Sequence, residues 1–169
     1  MHCALVALVG LGVTGPERVE ALWCPSNEAL DLVAGSNDFR ADHGLGALEP
    51  DVRLFLAADR LARDLAARGE LTHVASDGSA PHDRAEAAGY VRTIVAENIA
   101  AGQTDPGQVV RGWSGSPGHR SNLLDGRVRH AGAAHAVGRP ACPRCPPHDW
   151  VLVLGATRGP TEPIPPPCP

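Results

Sequence analysis

The order of helical and strand-forming segments is the feature that most restricts how this chain can fold. Residues 26–44 and 50–69 carry apolar side chains at helical spacing, each behind a residue that can cap a helix. A β-favouring segment follows at 90–100, and two more strand candidates, 128–137 and 150–156, come after a further helical stretch. Helices that precede most of the strands, with one helix between the first two strands, indicate an α+β domain or an α/β/α layered one.

Turn signals divide the middle of the chain. Asp77-Gly78 and Ala80-Pro81 predict a loop between the second helix and the first strand. Asp105-Pro106 opens a third helix, and Ser116-Pro117 restarts it after a break at Gly115. A serine hydroxyl can cap free backbone N–H groups, and proline fits the first helical position because no N–H is needed there.

Composition limits the number of domains and the classes of partner. A chain of 169 residues with 43% hydrophobic content can bury one substantial core without help from metal or disulfides. All 15 basic residues are arginine, they are scattered, and the formal net charge is -4. This pattern does not indicate nucleic-acid binding.

The two ends of the chain differ from the middle. The stretch Cys3–Val13 is apolar, too short to cross a bilayer, and about right for the core of a secretory signal. We therefore predict a signal-like leader at 1–23, a domain at 24–158 and a proline-rich tail at 159–169, which lacks the apolar content to pack and is expected to stay extended. An incorrectly chosen start codon or a disordered leader is the alternative for the first segment.

Cysteine content also favours export. Removal of Cys3 with a signal would leave Cys24, Cys142, Cys145 and Cys168, an even number that allows three disulfide pairings. We expect disulfides that tie the termini to the domain, as is usual outside the cell. The alternatives for the Cys-Pro-Arg-Cys segment are half of a zinc site with His148, or a redox pair.

Three separated segments supply side chains that can carry chemistry. His119 falls in the first turn after Ser116-Pro117, where the positive end of the helix dipole opposes protonation and leaves a lone pair available. Glu97 lies in the first strand among apolar neighbours and needs a partner to stay charged. His73 lies in the loop after Gly69. The other histidines of the domain are predicted to be solvated surface residues: His43, His82, His130, His135 and His148.

Several ordered motifs resemble a known family. They are Asn37-Asp38-Phe39-Arg40 with Gly44-Leu45 and Leu48, Leu71-Thr72-His73 with Ser76-Asp77-Gly78-Ser79, Arg84, Ala88-Gly89-Tyr90, Ala96 to Gly102, Trp113, Ser116 to Arg120 with Asn122-Leu123-Leu124, and Trp150. The chain resembles the superfamily of cysteine-rich secretory proteins, antigen 5 and pathogenesis-related 1 proteins, particularly its short bacterial single-domain members. The resemblance covers about residues 30–155.

The resemblance implies a three-layer α/β/α sandwich around a small, mostly antiparallel sheet. It also implies a central cleft lined by two histidines and two acidic residues, and by motif these are His73, His119 and the acid Glu97. The second acid is missing, because Asp105 is the only acidic residue between Glu97 and His119 and is interpreted as a helix cap.

Three hypotheses for function follow. The favoured one is an exported, monomeric binding protein without a transmembrane segment, in which His73, His119 and Glu97 hold zinc or calcium, or the cleft holds a small or lipid-like ligand. The second is a hydrolase that uses metal-activated water with Glu97 as base, or Ser116 or Ser76 as nucleophile. The third is a buried polar network without a ligand. Catalysis is the less favoured of the two ligand-dependent hypotheses.

Overall fold

The computed structural model describes residues 24–138 and 147–164. Within those ranges the chain forms five helices and four strands, in an order that alternates helical and extended segments. In chain order they are α1 (Asn27–Ala41), β1 (Glu49–Pro50), α2 (Val52–Arg68), α3 (Pro81–Ala87), β2 (Arg92–Ala101), α4 (Pro106–Gly115), α5 (Pro117–Leu123), β3 (His130–Val137) and β4 (His148–Thr157). The α+β fold class predicted from the order of segments is confirmed.

The four strands form one mixed sheet with the order β1-β3-β4-β2. β4 lies between β3 and β2 and is antiparallel to both, and the register places Glu97 opposite Val153. The short β1 pairs with β3 in parallel. The predicted sheet, small and mostly antiparallel, is confirmed, and β2 is left at one edge.

Helices cover both faces of this sheet, which produces three layers. On one face α2 packs against β3 and β4, and α3 packs against β2. On the other face α1 packs against β3 and α4, and the apolar core there is centred on Trp113 and Trp150. Each face therefore has its own buried cluster. The cluster on the face covered by α2 combines the apolar side of that helix with Tyr90, Ile99 and Val151.

The small side chains of β3 determine how closely α2 approaches the sheet. A Cβ atom built on Gly132 would lie 2.0 Å from the backbone nitrogen of Phe55, which is closer than real atoms come. A Cβ on Gly138 would lie 2.1 Å from the carbonyl oxygen of Ala66. Because the obstacle in both cases is helix backbone, only glycine fits at these two positions.

Helix boundaries follow the capping residues. Ser26 accepts a hydrogen bond from the Ala29 N–H at the start of α1, and Asp51 and Asp105 accept corresponding bonds in α2 and α4. Gly69 ends α2 in the left-handed conformation with a φ of 66°. Ser116 occupies the N-cap position of α5, as predicted, but its side chain makes no capping hydrogen bond.

Two local predictions are wrong. Ala80-Pro81 was expected in a loop, whereas residues 81–87 form α3, in which Asp83 accepts a hydrogen bond from the Ala80 N–H. The described part of the proline-rich tail also packs on the domain: the Glu162 carbonyl accepts the Val52 N–H at 2.8 Å, and Ile164 contacts the core. Free N–H groups at the start of α2 give this segment a binding partner that its apolar content alone did not predict.

Candidate functional site

Glu97 is the centre of the candidate site. The Glu97 carboxylate points from β2 towards the face of the sheet that α3 covers, and the residue is 6% exposed. Its Oε1 accepts a hydrogen bond from His73 Nδ1 at 2.8 Å, and its Oε2 accepts one from Arg84 at 2.8 Å. Both carboxylate oxygens are therefore occupied by cationic or polar donors from the same side of the sheet.

Arg84 is the partner that sequence analysis missed. Its side chain is fully buried, and besides Glu97 it donates to the carbonyl oxygens of Ser79 and His73. One guanidinium thus fixes the loop between α2 and α3 and the carboxylate on β2. The signal available in the sequence was the position of Arg84 four residues after the helix start at Ala80-Pro81, on the apolar side of a short helix.

His73 stands at the exposed side of this network. Its side chain is 49% exposed, and its backbone is held by Arg84. Because a carboxylate only accepts hydrogen bonds, the Nδ1 atom carries the proton in the neutral ring and the lone pair lies on Nε2. The bond to Glu97 therefore sets which ring nitrogen of His73 can bind a ligand.

His119 is brought to the same region by an amide network. Asn98, the residue after Glu97, donates to the His119 carbonyl oxygen at 3.1 Å, and Asn122 donates to Asn98 Oδ1 at 2.9 Å. Asn122 also donates to the Glu97 carbonyl oxygen at 3.3 Å. Two asparagines thus attach the short helix α5 to the free edge of β2, next to the Glu97 position.

Burial lowers the pKa of His119, and the charge of the nearby His73 lowers it further. The direction agrees with the neutral imidazole predicted from sequence, and desolvation is its largest cause. In the part of the chain that the structure describes, no hydrogen bond engages the ring nitrogens of His119. The ring is a neutral base with an available lone pair.

A cavity of about 340 Å³ lies beside His119. Its lining includes the apolar side chains of Leu71, Ile99, Val109 and Trp113. The Trp113 indole donates to the Ile99 carbonyl oxygen at 3.1 Å, which fixes one wall. The imidazole of His119 is thus placed between an apolar cavity and the His73 side of the cleft.

Two of the remaining histidines differ from the surface positions predicted for them. His130 is buried and its Nδ1 is 2.7 Å from the Tyr90 hydroxyl, while the His135 ring stacks on Trp150 at 3.9 Å between centroids. His135 Nε2 also lies 3.0 Å from His148 Nδ1. The prediction is wrong for His130 and His135, because a strand places alternate residues against a helix layer whatever their polarity. His43 and His82 are exposed.

Other features bear on the alternative hypotheses. Across residues 24–138 and 147–164, no group of three or more His, Cys, Asp or Glu side chains is arranged as a metal site. Asp105 caps α4, as predicted, and does not join the cleft. Ser76 donates its hydroxyl hydrogen to Asp64, and none of the hydrogen bonds among the described residues joins a serine hydroxyl to a histidine. Cys142, Cys145 and Cys168 lie outside the described residues, so the disulfide prediction stays a prediction.

Fold and site together define a class of protein: a three-layer α/β/α domain in which a loop, an edge strand and a short helix bring two histidines and a glutamate to one end of the sheet. The cysteine-rich secretory protein family matches residues 34–142. The chain belongs to this family, also called CAP, as the motifs indicated.

Two Bacillus subtilis proteins are similar in sequence. The protein YkwD is 31% identical over 104 residues, which cover 62% of this chain and 40% of YkwD. The membrane protein YlbC is 32% identical over 105 residues, covering 62% of this chain and 30% of YlbC. The chain thus matches less than half the length of either relative.

Solved structures share the fold. An extracellular protein from Bacillus anthracis that contains an SCP domain superposes with a TM-score of 0.68 at 20% identity, covering 87% of this chain and 45% of that one. An outer surface protein from Borrelia burgdorferi superposes with a TM-score of 0.63 at 22% identity, covering 75% of this chain and 90% of that one. Among the described residues of this chain, no helix is both long and apolar enough to span a membrane.

Proposed function

We propose that this chain is an exported, monomeric CAP-domain protein whose cleft binds a divalent metal ion, with zinc preferred, through His73 and His119. The observation that carries the proposal is the 2.8 Å hydrogen bond between His73 Nδ1 and Glu97 Oε1. Metal-binding histidines in proteins commonly donate their other ring N–H to a carboxylate, which fixes the tautomer and raises ligand basicity.

Glu97 acts in this proposal as the group that orients His73. Each of its oxygens already accepts one hydrogen bond, from His73 and from Arg84, and the side chain is 1% exposed, so a metal ion that Glu97 ligated directly would compete with these donors in a buried position. The bond from a buried guanidinium is charge-assisted and costly to lose. The protein ligands are therefore the two imidazoles, and water or a bound small ligand completes the coordination.

The donor set favours zinc over calcium. Calcium takes six to eight oxygen ligands, whereas zinc accepts imidazole nitrogen and a coordination number of four. His119 supports this choice because its lowered pKa keeps the ring neutral, as metal binding requires. A site with two protein ligands has open positions, which suits a binding cleft more than a closed structural centre.

The test is thermal unfolding of chelator-treated protein with and without zinc. At 100 times the Kd, binding stabilises the native state by about 2.7 kcal/mol, which raises the Tm of a domain of this size by roughly 5–10 °C. His73→Ala and His119→Ala should abolish the shift, and Glu97→Gln should weaken zinc binding roughly 10–100-fold. Calcium should give a smaller shift.

Two control variants separate this site from other imidazoles. His82→Ala removes an exposed histidine whose ring contacts Asp83 and makes no hydrogen bond to the residues of the cleft, and it should keep the full zinc shift. His135→Ala is needed because His135 and His148 bring two ring nitrogens within 3.0 Å of each other and could capture zinc independently. A zinc shift that survives in both His73→Ala and His119→Ala, or is absent from the unmodified protein, contradicts the proposal.

The polar network without a ligand is a second candidate, favoured by the buried Arg84–Glu97 pair. Arg84 already supplies the positive charge that Glu97 needs, so the carboxylate does not require a metal. If this candidate is correct, the His73, Glu97 and His119 variants lose stability equally with and without zinc. The same unfolding series therefore separates the two.

Export is proposed from the apolar segment Cys3–Val13 and the even cysteine count that remains after it. The structural neighbour from Bacillus anthracis is an extracellular protein and the one from Borrelia burgdorferi is an outer surface protein, which supports this location. Expression of the whole chain in a bacterial host should release a shortened product whose mass corresponds to loss of the leader. Full-length product retained inside the cell would contradict export.

A further inference from the structure

The edge strand β2 leaves backbone groups without partners at its C-terminal end. In an antiparallel pair, residues alternately turn their N–H and C=O groups towards and away from the neighbouring strand. The Gly102 N–H donates to the His148 carbonyl oxygen at 2.8 Å, so the odd-numbered residues of β2 turn these groups outwards. Among these residues, Ala101 and Ile99 line the cavity beside His119.

Side chains of the domain cover this edge only in part. Asn122 and Trp113 donate to the outward carbonyl oxygens of Glu97 and Ile99. Among hydrogen bonds between described residues, none engages the Ala101 N–H, the Ala101 carbonyl or the Ile99 N–H. Beside the cavity, the uncovered part of the edge consists of these three groups; farther along the strand, no hydrogen bond between described residues engages the outward Glu97 N–H or the Val95 N–H and C=O either.

A second orphaned acceptor lies at the same place. Gln103 lines the cavity, and its Oε1 atom is buried without a hydrogen-bond partner in the described part of the chain. Leu71, on the opposite wall, is a large apolar side chain that is 49% exposed. Unpaired donors and acceptors beside an exposed apolar surface are the features that an incoming ligand would satisfy.

We propose that this cavity binds an extended peptide segment, which adds to the edge of β2 opposite Ala101 and places one apolar side chain in the cavity against the exposed side chain of Leu71. The inference deepens the proposed function and rests on it, because the peptide would end beside His119 in the same cleft. One residue of the segment exchanges N–H and C=O hydrogen bonds with Ala101, as in other cases of strand addition.

The chemistry of the walls favours a peptide over an acyl chain. An alkyl chain would bury the Ala101 N–H and C=O without partners, which disfavours its binding. A volume of about 340 Å³ is also near the lower limit of ligand pockets, roughly 300 Å³, and suits one side chain with its backbone. The ligand class is therefore a short extended segment with an apolar residue.

The first test uses a blocked peptide, acetyl-Ala-Leu-Ala-Ala-amide, titrated into ¹⁵N-labelled protein. We expect saturable shifts of the Ile99 and Ala101 amides and of the Trp113 indole N–H. Methylation of the backbone nitrogen that pairs with Ala101 should weaken binding about tenfold, and methylation one residue away should not, because only alternate residues face the edge. Replacement of leucine by aspartate in the peptide should also weaken binding.

Glycines of α4 provide a matched pair of variants. Gly112 lines the cavity and Gly115 does not, and a Cβ atom on either would meet nothing within 4 Å. Gly112→Leu should therefore fill the cavity and abolish the peptide shifts, and Gly115→Leu should keep them. Both variants should fold, because leucine is a better helix former than glycine.

The outcomes separate this inference from the zinc proposal. Zinc stabilisation retained in Gly112→Leu, together with peptide binding lost there, supports both. Zinc stabilisation without peptide binding overturns the inference and leaves the proposed function intact. Peptide binding without any zinc effect supports the inference and contradicts the metal site. Shifts at Ile99 and Ala101 with decanoate but not with the peptide overturn the inference in favour of an acyl ligand.

Discussion

Replacement of Arg84 by methionine tests the central contact of the site. The Arg84 and Glu97 side chains are 0% and 1% exposed, so solvent does not screen their interaction. Arg84→Met keeps much of the side-chain length but leaves a buried carboxylate without its cation. Breaking a buried pair in this way costs about 3–5 kcal/mol, most of it the penalty of the remaining charge.

Urea unfolding at pH 7 measures this cost. With a slope of about 2 kcal/mol per molar, the midpoint of Arg84→Met should fall by about 2 M. The control is Arg60→Met, which breaks the ion pair with Asp77 on the surface, where the side chains are 53% and 43% exposed. That substitution should change the free energy of unfolding by less than about 1 kcal/mol.

A double variant identifies the mechanism. In Arg84→Met/Glu97→Gln no buried carboxylate is left without its cation, so the loss of stability should be smaller than the sum of the two single losses. Equal losses in Arg84→Met and Arg60→Met would refute the argument.

Three further predictions concern packing, titration and the tail. Gly132→Ala should lower the free energy of unfolding by at least about 1–3 kcal/mol, measured against Gly46→Ala, because only the first would meet helix backbone. Partly buried His119, whose pKa is lowered in the folded chain, should contribute stability above its unfolded pKa of about 6.5 that is lost as pH falls below it, since the unfolded chain takes up the proton first; His119→Gln should lack this loss in acid unfolding curves. Deletion of residues 160–169 should reduce stability by about 1–3 kcal/mol in thermal unfolding, since the N–H of Val52 and the carboxylate of Asp51 lose their bonds to Glu162; an unchanged Tm would contradict this role.

Sequence patterns predicted the long elements because their signals are local. Ser26, Asp51 and Asp105 cap helices where their spacing to apolar residues indicated, and Gly69 ends α2. Each of these choices is decided within about one helical turn of the residue concerned. The motif resemblance supplied what local signals do not, namely the pairing of distant strands into a sheet.

The parts that sequence reasoning missed depend on contacts between distant segments. Arg84 is buried because β2 places Glu97 beneath α3, and nothing near Arg84 in the chain predicts that carboxylate. His130 is buried because its side chain meets the hydroxyl of Tyr90, which lies 40 residues earlier in the chain. A polar residue type predicts exposure only on average, and tertiary pairing determines the individual case.

The edge position of β2 connects all the contacts of the site. One face of the strand gives Glu97 to His73 and Arg84, and its free edge gives carbonyl oxygens to Asn122 and Trp113. A central strand could not do both, because a second neighbouring strand would occupy those carbonyls. The helices that protect the edge therefore also carry His119 to the cleft, and the protection stops at Ala101, where the structure leaves room for another segment of extended chain.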